Sequence, residues 1–120
     1  MSGFGDILRG LVERVPGAVG AIFADWEGES VGQWARDMAD LDIQIFGAQW
    51  GVVWNQMQAA LRRARLGRAE ELFVDAEKCV VLVRHVAEQY YVVLSLGRGT
   101  HLATAIRELD RGVVTLRAEM

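Results

Sequence analysis

The stretch GAQWGVVWNQMQAALRRARLG, Gly47 to Gly67, limits what this chain can fold into more than any other. Its periodicity predicts a helix from about Ile43 to Leu66, with Gly67 as a C-terminal cap. Placed at ~100° per residue, Ile43, Phe46, Trp50, Val53, Trp54, Met57, Ala60, Leu61 and Ala64 form one wide apolar stripe, enough to cover a sheet face. A second, smaller apolar patch of Ile45, Ala48, Val52 and Ala59 lies among Gln44, Gln49, Asn55 and Gln56. A helix that only covers its own sheet needs one stripe. Two glycines four apart, Gly47 and Gly51, also ask for a reason, since each costs a helix interior ~1 kcal/mol relative to alanine. Close approach of a second helix supplies one. It places Gly47, Gly51 and Trp54 near a helix–helix seam.

Charge adds to this expectation. Asp37, Asp40 and Asp42 lead into the helix, with Asp40 or Asp42 placed to cap it, and Arg62, Arg63, Arg65 and Arg68 close it. Two antiparallel copies would set acidic start against basic end, as in an isologous two-fold dimer. Capped helices show the same polarity without dimerising, so both readings stand. Composition points toward association: 52% of the 120 residues are hydrophobic, and a chain this small has little interior for its surface.

Residues 1–120 read as a single domain, without repeat or linker. A net charge of −3 lacks the basic field of a nucleic-acid binder. One cysteine, Cys79, excludes an internal disulfide and suits a reducing compartment. The start, MSGFGDILRG, carries Asp6 and no long apolar core, so it does not read as a signal peptide. No run reaches the ~18 apolar residues of a membrane span. The expectation is a cytoplasmic protein that inserts in no membrane.

Around the long helix the chain alternates. Phe4, Ile7, Leu8, Leu11, Val12 and Val15 have helical spacing, and Pro16–Gly17 ends that helix. AVGAIFADWEGESVGQWA reads as two strands turning at Glu27–Gly28. ELFVDA, KCVVLVRHV and YYVVLSLG are three more, with AEQ as a turn. CVVLV and YYVVL are continuously apolar, as strands covered on both faces are. Thr100 opens a last helix with Leu102, Ile106, Leu109, Val113 and Leu116 on its apolar face. The order helix, two strands, helix, three strands, helix with hairpin-length links predicts an α+β fold: a five-stranded antiparallel sheet sandwiched by helices.

Little chemistry is legible. His85 and His101 lack metal-ligand spacing with Cys79 or a carboxylate, and Cys79 reads as a small core residue. LGRGTHLA, Leu96–Ala103, runs from strand through glycines into helix; it has an anion-binding outline but neither a Walker lysine nor G-x-G-x-x-G. The arginines from Arg62 to Arg68 read either as a solvated, dipole-matched helix end or as contacts for an acidic partner. No catalytic residues, metal or cofactor are expected.

Leu8 and Leu11, Pro16–Gly17, the small-and-apolar strand Ala18–Ala24, Asp25 with Gly28 at the hairpin, the long helix, the three further strands and the closing GTHLATAIRELDRGV follow one another in an order and length that resembles the roadblock / dynein light-chain superfamily. That superfamily has a profilin-like sheet and includes bacterial MglB-type regulators of a Ras-like GTPase. The resemblance covers nearly the whole chain. It implies a homodimer whose third strands, here around Leu72–Ala76, pair edge to edge, with the long helices side by side. The implied interface comprises Gly47, Gly51, Trp54, Asn55, Gln58, Leu72, Phe73, Val74 and Asp75. The implied partner face is Ile45, Ala48, Gln49, Val52, Gln56, Ala59, Arg62 and Arg63. Such proteins hold small GTPases or build scaffolds, and some assist GTP hydrolysis without supplying a catalytic residue. The tryptophans depart from the pattern: Trp50 and Trp54 stand where such helices carry smaller aliphatics, and Trp26 and Trp34 decorate the hairpin. Hence the expected function is a non-enzymatic homodimeric adaptor for a Ras-like GTPase. The alternatives are a sensory domain holding a small apolar ligand beside Trp26, Trp34 or Trp50, and a pure assembly module.

Overall fold

The structure, a computed structural model, describes residues 3–120; Met1 and Ser2, at the head of the stretch read for a signal peptide, lie outside the described residues. The elements follow the predicted order: α1 (Phe4–Arg14), β1 (Ala18–Ala24), β2 (Ser30–Ala35), α2 (Asp40–Arg63), β3 (Glu71–Asp75), β4 (Cys79–Ala87), β5 (Tyr90–Gly97) and α3 (Leu102–Ala118). The strands form one sheet in the order β2-β1-β5-β4-β3, with every neighbouring pair antiparallel.

Strand alternation sends successive side chains to opposite faces and so builds two cores. On one face Phe23, Leu82, Val92 and Leu94 pack with Leu8, Leu11 and Val12 of α1 and Leu109, Val113 and Leu116 of α3. On the other, Ile22, Val81, Val83, Tyr91 and Val93 pack with Ile43 and Trp54 of α2. β4 and β5 are buried on both faces, as their continuous apolar runs require. α2 crosses β1 and β2, leaving the β3 end of its face less covered. β2 and β3 are the sheet edges.

Several local expectations are corrected. The N-cap of α2 is Ala39, which makes no side-chain cap bond; Asp40 and Asp42 lie in the first turn, where they complement the positive helix end. The C-terminal stop is not Gly67. Arg65 adopts the left-handed conformation (φ 60°), its N–H bonds Arg62 O, and Leu66 N–H bonds Leu61 O, both at 3.0 Å. This Schellman closure satisfies the last carbonyls one turn before Gly67, which itself has φ 84°. At the start of α3 the cap is His101, whose Nδ1 accepts from Thr104 N–H, while Thr100 Oγ1 donates to Gly97 O. No helix among the described residues is long and apolar enough to cross a membrane.

Candidate functional site

The site is α2 and what borders it. On the sheet side, Gly47 and Gly51 are buried and Trp54 is only 4% exposed. A Cβ on Gly47 would come within 2.6 Å of Ile22 Cδ1, and one on Gly51 would collide with the Tyr91 hydroxyl. Absent side chains therefore let the helix settle onto its own sheet rather than onto a second helix. This corrects the expected seam: Gly47, Gly51 and Trp54 are interior, with Trp54 tilted against Tyr91 at 6.5 Å between ring centroids. The Tyr91 hydroxyl, 3.4 Å from Gly47 O, has its pKa pushed up to about 12, first by burial and then by the charge of Asp25.

Asn55 and Gln58 are also spoken for within the chain. Asn55 Nδ2 donates to Trp26 O at 2.7 Å, fastening α2 to the β1–β2 turn. The Gln58 amide accepts from Ala69 N–H at 2.8 Å and donates to Ala69 O at 3.2 Å, a side chain standing in for a strand neighbour. The turn is shaped by Asp25, whose Oδ1 accepts from Glu27 and Glu29 N–H, and by Gly28 at φ 81°. Gly28 lies so near Ala48 that an added Cβ would touch it at 3.4 Å, so Ala48 is half-buried rather than free; Ala59 is half-buried as well.

What remains outward is a single row. Ile45 (48% exposed), Gln49, Val52 (57%), Gln56 and Arg63 are exposed along α2 at helical spacing. Leu41 (65%) and Val53 (42%) widen its apolar part. Val53, Ala60 and Ala64 were assigned to the sheet-facing stripe by periodicity but face solvent, because α2 buries a narrower strip than nine apolar residues can fill. Leu41 was not singled out from the sequence, although its place one turn before Ile45 puts it on the same row.

Between buried strip and outer row lies a shoulder. Phe46 and Trp50 meet edge to face at 6.4 Å, and they, Met57 and Leu61 are half-buried. Leu72 and Val74 of β3 are half-buried on this same face of the sheet, whereas Phe73 projects to the opposite face and is 47% exposed. Asp75, beside it, pairs with Arg98. β3 hydrogen-bonds to β4 and, among the described residues, has no strand on its other side, so its outer backbone groups form an open edge.

Near the C-terminal end of α2, a cleft of about 640 Å³ is lined by Trp26, Trp54, Asn55, Gln58, Arg62, Gly67, Arg68, His85, Glu88 and Gln89. Arg68 holds Glu70 at 2.9 Å; that hydrogen bond, foremost among its causes, keeps the Glu70 carboxyl below its ordinary range. His85 Nε2 meets Glu88 O at 2.9 Å. The other expected tryptophans are elsewhere: Trp34 lies under Arg9 and Arg36 at 5.5 and 5.8 Å, and Trp50 is on the shoulder. Cys79 is half-buried at the start of β4.

Comparison with known proteins gives the fold. A Roadblock/LC7 domain from Streptomyces avermitilis superposes with a TM-score of 0.90 at 18% identity, over 98% of both chains. MglC from Myxococcus xanthus matches at 0.70 and 24% identity, also over 98% of both. An MglB solved in a tetrameric arrangement matches at 0.85 and 15% identity, over 96% of this chain and 85% of the other. No family model and no curated protein matches the sequence. The chain has the roadblock fold, as its element order implied.

Proposed function

We propose that this chain is a non-enzymatic, homodimeric adaptor that docks a Ras-like GTPase on the outer row of α2, in the cytoplasm. The observation carrying this reading is the row itself. Leu41, Ile45, Val52 and Val53 keep apolar side chains in water on the one helix that covers its sheet face alone. The roadblock fold adds the context in which such helices serve as docking platforms, and the resemblance to MglB-type regulators names the partner class.

The dimer contact we assign is the shoulder with the β3 edge, in place of the interior glycines. Pairing two β3 strands would satisfy their free backbone groups, and Phe46, Trp50 and Met57 with Leu72 and Val74 would cover one another's half-buried surfaces. Arg63, and Arg62 beside the cleft, border the docking row and would meet acidic switch segments of a GTPase.

The test has two parts. Light scattering should give twice the chain mass, and Leu72→Lys with Val74→Lys should halve it. Capture of a Ras-like GTPase, GTP-loaded and taken first from the gene's own neighbourhood, should be lost in Ile45→Asp/Val52→Asp. A monomeric native chain overturns the dimer, and undiminished capture by the double aspartate variant overturns the docking face. A second reading, an assembly module, draws on the tetrameric arrangement of one MglB; oligomers above dimer that ignore nucleotide-loaded GTPases would select it.

A further inference from the structure

The cleft at the end of α2 shares Arg62 with the docking reading, but Trp26 and His85 in its lining serve neither dimerisation nor docking on the outer row. Its volume, about 640 Å³, is that of a small-molecule site. Two indoles line it, and they differ. Trp54 is buried in the core, while Trp26 is 53% exposed on the β1–β2 turn, with its backbone held in place because its carbonyl accepts from Asn55. An exposed indole beside open space, as Trp26 is, offers a stacking surface for a planar ring.

The charged groups are unevenly matched. Arg62 makes no ion pair among the described residues, whereas Arg68 is bound to Glu70. Counted with the Glu70 that Arg68 holds, the two arginines are balanced by two carboxylates, and Arg62 is the lining cation left without an ion-pair partner. The C-terminal end of α2 contributes partial negative charge, which Arg62, Arg63 and Arg65 together outweigh. His85 supplies one more feature. Glu88 O can only accept, so in the neutral ring Nε2 carries the proton and Nδ1 is an acceptor. That Nδ1 is buried without a hydrogen-bond partner, 3.6 Å from the nearest Glu70 oxygen. An unfilled buried acceptor is costly, and the Glu70 carboxylate beside it cannot supply a donor when ionised.

We propose that this cleft binds a small planar aromatic anion, its ring against the exposed indole of Trp26 and its phosphate or carboxylate on the free guanidinium of Arg62. Nucleoside monophosphates and aromatic carboxylic acids share this chemistry. The sensory alternative expected a small apolar ligand beside Trp26, Trp34 or Trp50; of these, Trp26 lines this cleft.

The full chain, labelled with ¹⁵N, should be titrated separately with adenosine 5′-monophosphate and with indole-3-acetate while its four indole N–H resonances are followed. Either compound should move Trp26 saturably and leave Trp34 and Trp50 in place as internal controls. A response to one and not the other tells nucleotide from aromatic acid. Arg62→Gln should weaken binding about tenfold, as loss of one charge-assisted contact does. Trp26→Ala, an exposed substitution that leaves the core intact, should weaken it too. The proposal is overturned if neither compound gives a saturable response at Trp26. It is equally overturned if inorganic phosphate or adenosine alone binds as well, or if Arg62→Gln binds unchanged. None of these outcomes depends on the GTPase reading.

Discussion

On the α1/α3 face of the sheet, Leu8, Leu11, Phe23, Leu82, Leu94, Leu109 and Leu116 are wholly removed from water, and two helices share the work of covering them. On the α2 face, one helix lies over β1 and β2, Tyr91 and Ile22 press directly against its glycines, and Trp50, Met57, Leu72 and Val74 stay half-exposed toward the β3 edge. The same sheet thus has one finished face and one left open along a margin. The finished side holds the fold; the unfinished side is where the proposed partners would gain area. Glu108 is buried at the rim of the α1/α3 face, with Arg14 at 2.9 Å and Arg107 and Arg111 near it, and the Arg14 hydrogen bond leads the causes that lower its pKa.

The comparison can be broken most severely on the closed face. Leu109→Ala should cost about 2–5 kcal/mol of unfolding free energy by denaturant titration, since no water or neighbour can fill the space. A loss under 1 kcal/mol would show that this face is looser than its zero exposure implies.

Gly51→Ala is next, and its sign is informative. Alanine is the better helix former by ~1 kcal/mol, so at a free or dimer-facing position it should stabilise the isolated chain. Here the new methyl meets the Tyr91 hydroxyl, and overpacking of about 1–3 kcal/mol should prevail. Double substitution with Tyr91→Phe should recover part of the loss; a stabilised single variant would place the helix off the sheet.

Tyr91 offers a subtler handle. Its ionisation is suppressed in the folded chain, so stability contributed by the neutral phenol is complete below its ordinary pKa of 10 and declines as pH rises toward about 12. Ultraviolet titration should show a phenol ionising well above 10, and Tyr91→Phe should remove that late step. A titration curve unchanged by Tyr91→Phe above pH 10 would mean the α2 face is wet at its centre.

The smallest effect on folding is expected on the outer row. Val52→Asp should change unfolding free energy by no more than about 0.5 kcal/mol, because Val52 already faces solvent. Should thermal denaturation show a large loss instead, the row is structural, and its role as a docking surface loses its basis.

Much of this architecture was legible from residue order. Alternation and apolar runs placed all five strands, helical spacing placed three helices, and Gly28 at positive φ marked the first hairpin. The exposed row at Ile45, Gln49, Val52 and Gln56 was legible as well, because a patch opposite a stripe needs only the helical period. The reasons behind Gly47, Gly51, Asn55 and Gln58 were not. Periodicity tells that a helix carries two small residues on one flank, but the bodies that approach them, Ile22 and Tyr91, come from strands far away in the chain. Nor could spacing foretell that Gln58 would clasp the backbone of Ala69, or that Trp26, Arg62 and His85 would border one cleft. Local sequence determined which segments became helix and strand and which of their sides were apolar, because those follow from bond geometry within a few residues. Which apolar side met the sheet, and which was left exposed, was decided only when distant side chains competed for the same volume.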